Sequence, residues 1–195
     1  MASGLFNVEK QLVFYGAFHS NKVNIRLHML CVPLLLWTFQ VVLASFPTPS
    51  FFPAYRHDFN SVLSFEFDWA TVQTAVYLSY FLVLLPSAAA TISLLSAIAV
   101  SRHQTNVYYA IALHVVCWLI QFYGHGVHER RSPALLDNAI SAKSKLAIVL
   151  APFFVHLKFF FMLGYFPTLF KTMQNGVDIQ ITKFRRENAQ AKGNT

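Results

Sequence analysis

Apolar runs long enough to cross a bilayer alternate with short polar stretches along this chain, and that alternation sets its expected architecture. Residues 5–28 precede the first run as an amphipathic N-terminal segment. Within them Leu5, Val8, Leu12, Tyr15 and His19 recur at spacings of three and four, the period of an amphipathic helix over 5–19. Ser20-Asn21-Lys22 interrupts that helix with turn chemistry, and a second short helix starts near Asn24 and runs into the first span. The first long apolar run, 29–46, contains Pro33 and is stopped by Pro47 and Pro49. Residues 47–68 read as a polar and aromatic loop. Trp69 to Val100 then carries no charge. One helix over that length would reach roughly 48 Å, against a hydrocarbon core of about 30 Å. Pro86-Ser87 is therefore expected to divide it into a hairpin of spans, 69–85 and 87–101. A further span covers 107–123. The last apolar run, 146–166, is interrupted by Pro152, His156 and Lys158, and 171–195 reads as a basic, polar tail.

The pattern predicts an all-α, multi-span membrane protein: one integral domain over 1–195, with four to five transmembrane helices and an N-terminal amphipathic helix. Composition agrees, since 55% of the 195 residues are hydrophobic and only 12% charged, where soluble domains carry roughly a quarter. The net charge of +7 lies in the polar segments, as topology and anionic headgroups require. The aromatic residues sit in apolar runs rather than among basic ones, which argues against nucleic acid as a partner. Cys31 and Cys117, each inside an apolar run, make neither a disulfide framework nor a zinc motif. Residues 1–28 lack the apolar core of a cleavable signal, so the first run is expected to act as an uncleaved one. Lys10, Lys22 and Arg26 place the N-terminus in the cytoplasm, and Arg130, Arg131, Lys143 and Lys145 do the same for 124–145. The basic tail belongs on that side too, which asks 146–166 to re-enter the membrane or lie at its interface. A fifth full span is the second choice.

The densest chemistry lies between Gln121 and Leu135, where an apolar run ends in His125, His128, Glu129, Arg130 and Arg131, with glycines at 124 and 126. Its counterpart is Tyr15, His19, Asn24 and His28. The expected topology brings both stretches to one membrane face. Ionisable groups in membrane proteins are costly and usually functional, and neutral imidazole is a ligand for iron, copper, zinc and nickel. His125 and His128, three apart, share a face of a regular helix. His57 and His103 fall on the opposite side of the membrane, where a headgroup contact explains them. His114 lies mid-span, roughly 16 Å along the axis from His125, too far to share its metal. His128 and His156 stay open between ligand and satisfied polar residue. A Cys117 nucleophile lacks an oxyanion-hole motif, and no phosphate loop or zincin box is present.

The pattern Tyr15-x3-His19-x4-Asn24-x3-His28, followed by Pro33, resembles the 2-hydroxy fatty acid dioxygenase family of small endoplasmic-reticulum membrane proteins. So does Trp118-x2-Gln121-Phe122-x-Gly124-His125-Gly126-x2-Glu129-x3-Pro133-Ala134-Leu135, continued by Ala151-Pro152-Phe153-Phe154 and Gly164-Tyr165. The resemblance covers most of 5–170 and is weakest over 47–68. It implies an Fe(II)-dependent dioxygenase of fatty acid α-oxidation that shortens 2-hydroxy fatty acids by one carbon, in phytosphingosine breakdown. Its partners would be a long-chain 2-hydroxy fatty acid, O2 and membrane lipid, at an endoplasmic-reticulum site facing the cytoplasm. The resemblance carries the ligand role onto His19, His28 and His125, and Asn24 and Glu129 match motif positions. Two residues depart from the family pattern: His128 stands where an aromatic or apolar residue is expected, and His156 near where a glutamate is. We therefore expect His128 as a fourth ligand, with Glu129, Asn24 and Arg130 in catalytic roles. Arg130 or Arg131 would hold the substrate carboxylate by a bidentate contact, although a positive-inside loop explains both arginines equally. The rival to the enzyme is a membrane transporter or metal carrier with a histidine-lined path. Such a path would string its polar groups through the membrane depth rather than gather them at one face. A membrane-shaping protein built on 69–101 is a further rival.

Overall fold

The computed structural model describes residues 6–60, 64–85, 104–133 and 142–193. Helix α1 is Val8–Ala17. The Asn7 side chain accepts from the Lys10 N–H at 2.9 Å to cap it, and Glu9 lies in its positive first turn. Helix α2, Lys22–Ala44, is unbroken: the short helix near Asn24 runs into the first apolar run as expected, and the two are one element. Asn21 starts it, accepting from the Val23 N–H at 2.8 Å. Pro33 sits inside α2 without ending it. The loop that follows holds a small antiparallel hairpin, β1 (Arg56–Asp58) with β2 (Ser64–Glu66), in which His57 faces Phe65.

Helix α3, Trp69–Leu84, begins at Asp68, whose carboxylate accepts from the Thr71 N–H at 3.0 Å. Helix α4, Gln104–Tyr123, runs directly into a π-helical turn, Gly124–Glu129. Helix α5, Ala142–Met162, also keeps its internal proline, Pro152. Gly164 and Phe166, both at positive φ, turn the chain into α6, Pro167–Gly193, whose first residue is the proline that a helix start accommodates. The segments Ile148–Met162 and Pro167–Glu187 are bent by 119° relative to each other.

Lys22–Ala44 and Asn106–Glu129 are long and apolar enough to cross a membrane, and the bent pair would add a third span if taken as one. That is two to three among the described residues, where four to five were expected. The expected span 69–85 forms only in part. Leu85 precedes a proline, which disfavours helical backbone, and it is extended. The remaining 16 residues of α3 reach roughly 24 Å, short of the hydrocarbon core. The expected span 87–101 lies outside the described residues. Tyr108, Tyr109, Ile111, Val115, Val116 and Leu119 are exposed along α4, as a lipid-facing surface would be.

The described elements form two compact units, Met1–Leu27 with Tyr123–Thr195, and His28–Phe122. In the first, α1 packs on α6 and α5. A Cβ on Gly16 would lie 2.7 Å from Val177, and one on Gly176 would lie 2.4 Å from Val13, so the two helices touch backbone to side chain where they cross. The expected polar tail is thus a packed helix: Met173 is buried, and Gly176, Val177, Ile181 and Phe184 continue its inner face at helical spacing. In the second unit, polar side chains tie helices together. Gln40 of α2 donates to Thr74 of α3 at 2.9 Å. Trp118 donates to His114 Nε2 at 3.0 Å, so His114 Nδ1 carries the proton and donates to Thr38 at 2.8 Å. The Thr38 hydroxyl in turn donates to the Leu34 carbonyl at 2.8 Å. The mid-span histidine is therefore hydrogen-bonded on both sides.

Candidate metal centre

His19 follows the end of α1. Its Nδ1 lies 2.8 Å from the Tyr15 carbonyl. A carbonyl only accepts, so Nδ1 carries the proton and Nε2 keeps the lone pair a metal needs. The Tyr15 ring lies flat against the imidazole, 4.2 Å away and 2° from parallel, and its other neighbour is Phe154 of α5 at 4.4 Å. Tyr15 is almost fully buried, which pushes its phenol well above the ordinary tyrosine range and keeps it neutral. His19 is thereby locked in both ring angle and tautomer.

Asn24 and His28 lie one turn apart on α2, which runs unbroken through Leu27 and His28, and both are buried. His125 is buried in the π turn. Such turns are rare and gather at functional sites. Gly124 makes this one possible, because a Cβ there would stand 2.5 Å from the Asn24 side-chain oxygen and 3.2 Å from Leu27. Gly126 has open space around it.

Glu129 closes the turn and ties it to the start of α2. One carboxylate oxygen accepts from the Ser20 N–H at 2.9 Å and from the Ser20 hydroxyl. The other accepts from the Asn21 N–H at 2.9 Å and from the Asn24 amide at 3.1 Å. An acid accepting from the N–H of the residue that caps a helix, here Asn21, is the arrangement of a capping box, supplied in this case from a distant segment. Arg130 follows in the left-handed region, φ 54°, with its side chain exposed. Arg131 turns inward. Its guanidinium lies 3.7 Å from the Phe18 ring centre and 4.0 Å from that of Phe184, and it donates to the Ala17 carbonyl at 3.2 Å. Stacked between two rings, it fixes α6 against the residue preceding His19.

One ligand atom from each of His19, His28 and His125 lies within 4.8 Å of the other two, and all three residues are buried. Bonds of 2.0–2.2 Å would set such atoms roughly 3–3.5 Å apart, so small side-chain movements close the set on one ion. The donors suit a metal: three imidazoles, one with its lone pair already presented, and a carboxylate next to them already engaged by four donors. With no anion among the ligands, a bound divalent ion would keep its full charge. His128 lies outside this group, its ring edge-on to Tyr123 at 5.4 Å. The π turn is the physical reason. It takes more than four residues to close, so the residue three after His125 does not return to its face as it would on a regular helix. His156 packs edge-on against Phe160, and His57 against Phe59 in the hairpin. Ser20, Asn21 and Arg131 are the supporting residues that the sequence did not single out for these contacts. Only the turn chemistry at Ser20-Asn21 hinted at two of them.

These features define a helical protein with two to three apolar segments long enough to cross a membrane and a buried three-histidine cluster. The chain belongs to the family described as Mpo1-like, 2-hydroxy-palmitic acid dioxygenase Mpo1-like, whose model matches residues 5–163. It is similar to the 2-hydroxy-palmitic acid dioxygenase MPO1 of Saccharomyces cerevisiae, with 29% identity over 191 residues, covering 96% of this chain and 99% of the yeast protein. No solved structure matches the chain. Kinship with a named dioxygenase along nearly its whole length supports an enzymatic role.

Proposed function

We propose that this protein is an Fe(II)-dependent dioxygenase that converts a long-chain 2-hydroxy fatty acid to the acid one carbon shorter. The observation that carries this reading is the cluster of His19, His28 and His125, buried, with one ligand atom of each within 4.8 Å of the other two. The family supplies the substrate class. The reaction balances with one O2 per acid: the bond between C1 and C2 breaks, C2 rises from alcohol to carboxyl, and C1 leaves as carbon dioxide, with one water formed. No further reductant is needed. Ferrous iron at the three imidazoles would supply a redox-active cation with positions left open for chemistry. The chain's own residues set the stage for it. Tyr15 fixes the ring and tautomer of His19, so that Nε2 is the atom that would hold an ion. Glu129 and Asn24, engaged with each other, hold the His125 turn against the His28 helix; we assign them positioning roles. Arg130, exposed at the end of that turn, draws acids to this end of the protein. The exposed apolar side chains of the spans keep the enzyme in the membrane where its substrate dissolves. We place it in the endoplasmic reticulum with the site on the cytoplasmic side, the α5–α6 pair re-entering rather than crossing.

The test is anaerobic purification, metal analysis, and incubation with 2-hydroxypalmitate, O2 and ferrous iron. The parent protein should bind about one iron per chain, as one three-ligand site predicts, and release pentadecanoate. His125→Ala, folded by thermal melt, should lose both. A folded parent that binds no metal and forms no product would overturn the reading and return the transporter to first place.

A further inference from the structure

Lys158 stands on α5 among aromatic and aliphatic side chains, half-buried, in an apolar stretch that otherwise carries no charge. Its ammonium lies 5.4 Å from the Phe154 ring centre and 5.8 Å from that of Phe170 on α6. Among the described residues it meets no carboxylate and no hydrogen-bond acceptor. Ring faces stabilise a cation but accept none of its three N–H bonds in the way an oxygen does. A half-buried ammonium with no acceptor is costly, and such groups in membrane proteins mark sites of function.

Its position gives the missing partner. Phe154 and Lys158 are one turn apart on one face of α5, and a helical side chain leans back toward the N-terminus, so the lysine stem runs over Phe154. The Phe154 ring is 4.4 Å from Tyr15 and 5.9 Å from the His19 ring. The ammonium is therefore one aromatic ring away from the histidine cluster. A fatty acid approaching that cluster brings an anionic end and an apolar chain, and here a cation and apolar walls stand together. Arg131, a cation next to the His125 turn, is stacked between Phe18 and Phe184.

We propose, building on the dioxygenase reading, that Lys158 binds the carboxylate of the 2-hydroxy acid and sets the enzyme's requirement for a free acid. A phospholipid phosphate offers similar chemistry, and the experiment separates the two.

The parent, Lys158→Met and Lys158→Arg are compared in phosphatidylcholine nanodiscs, with matched melts and metal contents. Binding of 2-hydroxypalmitate and of its neutral amide to the metal-free protein is measured alongside turnover. The parent should prefer acid over amide, and Lys158→Met should weaken the acid by about ten- to a hundredfold, the worth of a charge-assisted hydrogen bond, while leaving the amide unchanged. Lys158→Arg should restore most of the preference. If Lys158→Met binds and turns over the acid like the parent, the proposal falls and the dioxygenase reading stands. If it also loses stabilisation of the parent by added phosphatidic acid, Lys158 serves a lipid headgroup instead. If the parent forms no product yet binds the acid through Lys158, the reaction is wrong and the anion site survives.

Discussion

Single residues decide whether the three histidines meet. Gly124 lets Asn24 lie against the π turn, and two positions later Gly126 faces open space. Gly124→Ala should therefore cost about 1–3 kcal/mol by overpacking and loosen the hold on metal. Gly126→Ala should be neutral or stabilising by about 0.5 kcal/mol, since alanine favours helical backbone. Thermal melts with metal analysis on both variants check the contrast, and equal effects would mean that Asn24 does not pin the turn. His19, His28 and His125 were legible in the sequence because their spacings to Tyr15, Asn24 and Gly124 form recognisable patterns. His128 was not separable from them, because three-residue spacing implies a shared face only on a regular α-helix. The bonds of Glu129 were not legible either, since they join residues more than a hundred positions apart.

At the scale of elements, hydrophobic runs announced α2, α3, α4 and α5, and only Pro152 was given more breaking power than it has. Pro33 and Pro152 are carried inside helices, whereas the residue before Pro86 ends α3. The tail misled because its charges hide a narrow apolar face through Met173, Val177 and Phe184. That face makes α6 a working part of the unit that carries His19 and His125. Gly176→Leu, which drives a branched side chain into Val13, should lower stability by about 1–3 kcal/mol. It should also lower metal retention, although residue 176 lies on a different helix from every ligand. Loss of stability with metal content unchanged would show that α6 only covers the unit.

For the whole molecule, apolar composition gave the membrane class, and the charge distribution gives a testable orientation. Single cysteines placed at Ser132 and at Gln180, in a background without Cys31 and Cys117, should react with an impermeant maleimide added to intact microsomes. A cysteine at Asp58 should react only after the vesicles are opened. The reverse pattern would put the histidine cluster on the lumenal side. The span count depended on Pro86, where sequence reading assumed two crossings and the described part of the chain holds one short helix.

The Glu129 clasp is built from the chain's own donors, and it shapes the three imidazoles into a mould in which nitrogen alone would meet an ion. An all-nitrogen site with no carboxylate ranks divalent ions by their intrinsic appetite for imidazole, and on that scale zinc and copper outrank ferrous iron. Which ion occupies the protein would then be decided by supply at the time of loading rather than by the fold. Production in zinc-rich medium should yield a folded, fully occupied and inactive protein, and chelation followed by anaerobic ferrous iron should awaken it. If iron alone is found whatever the medium, the mould is more discriminating than its three ligands suggest.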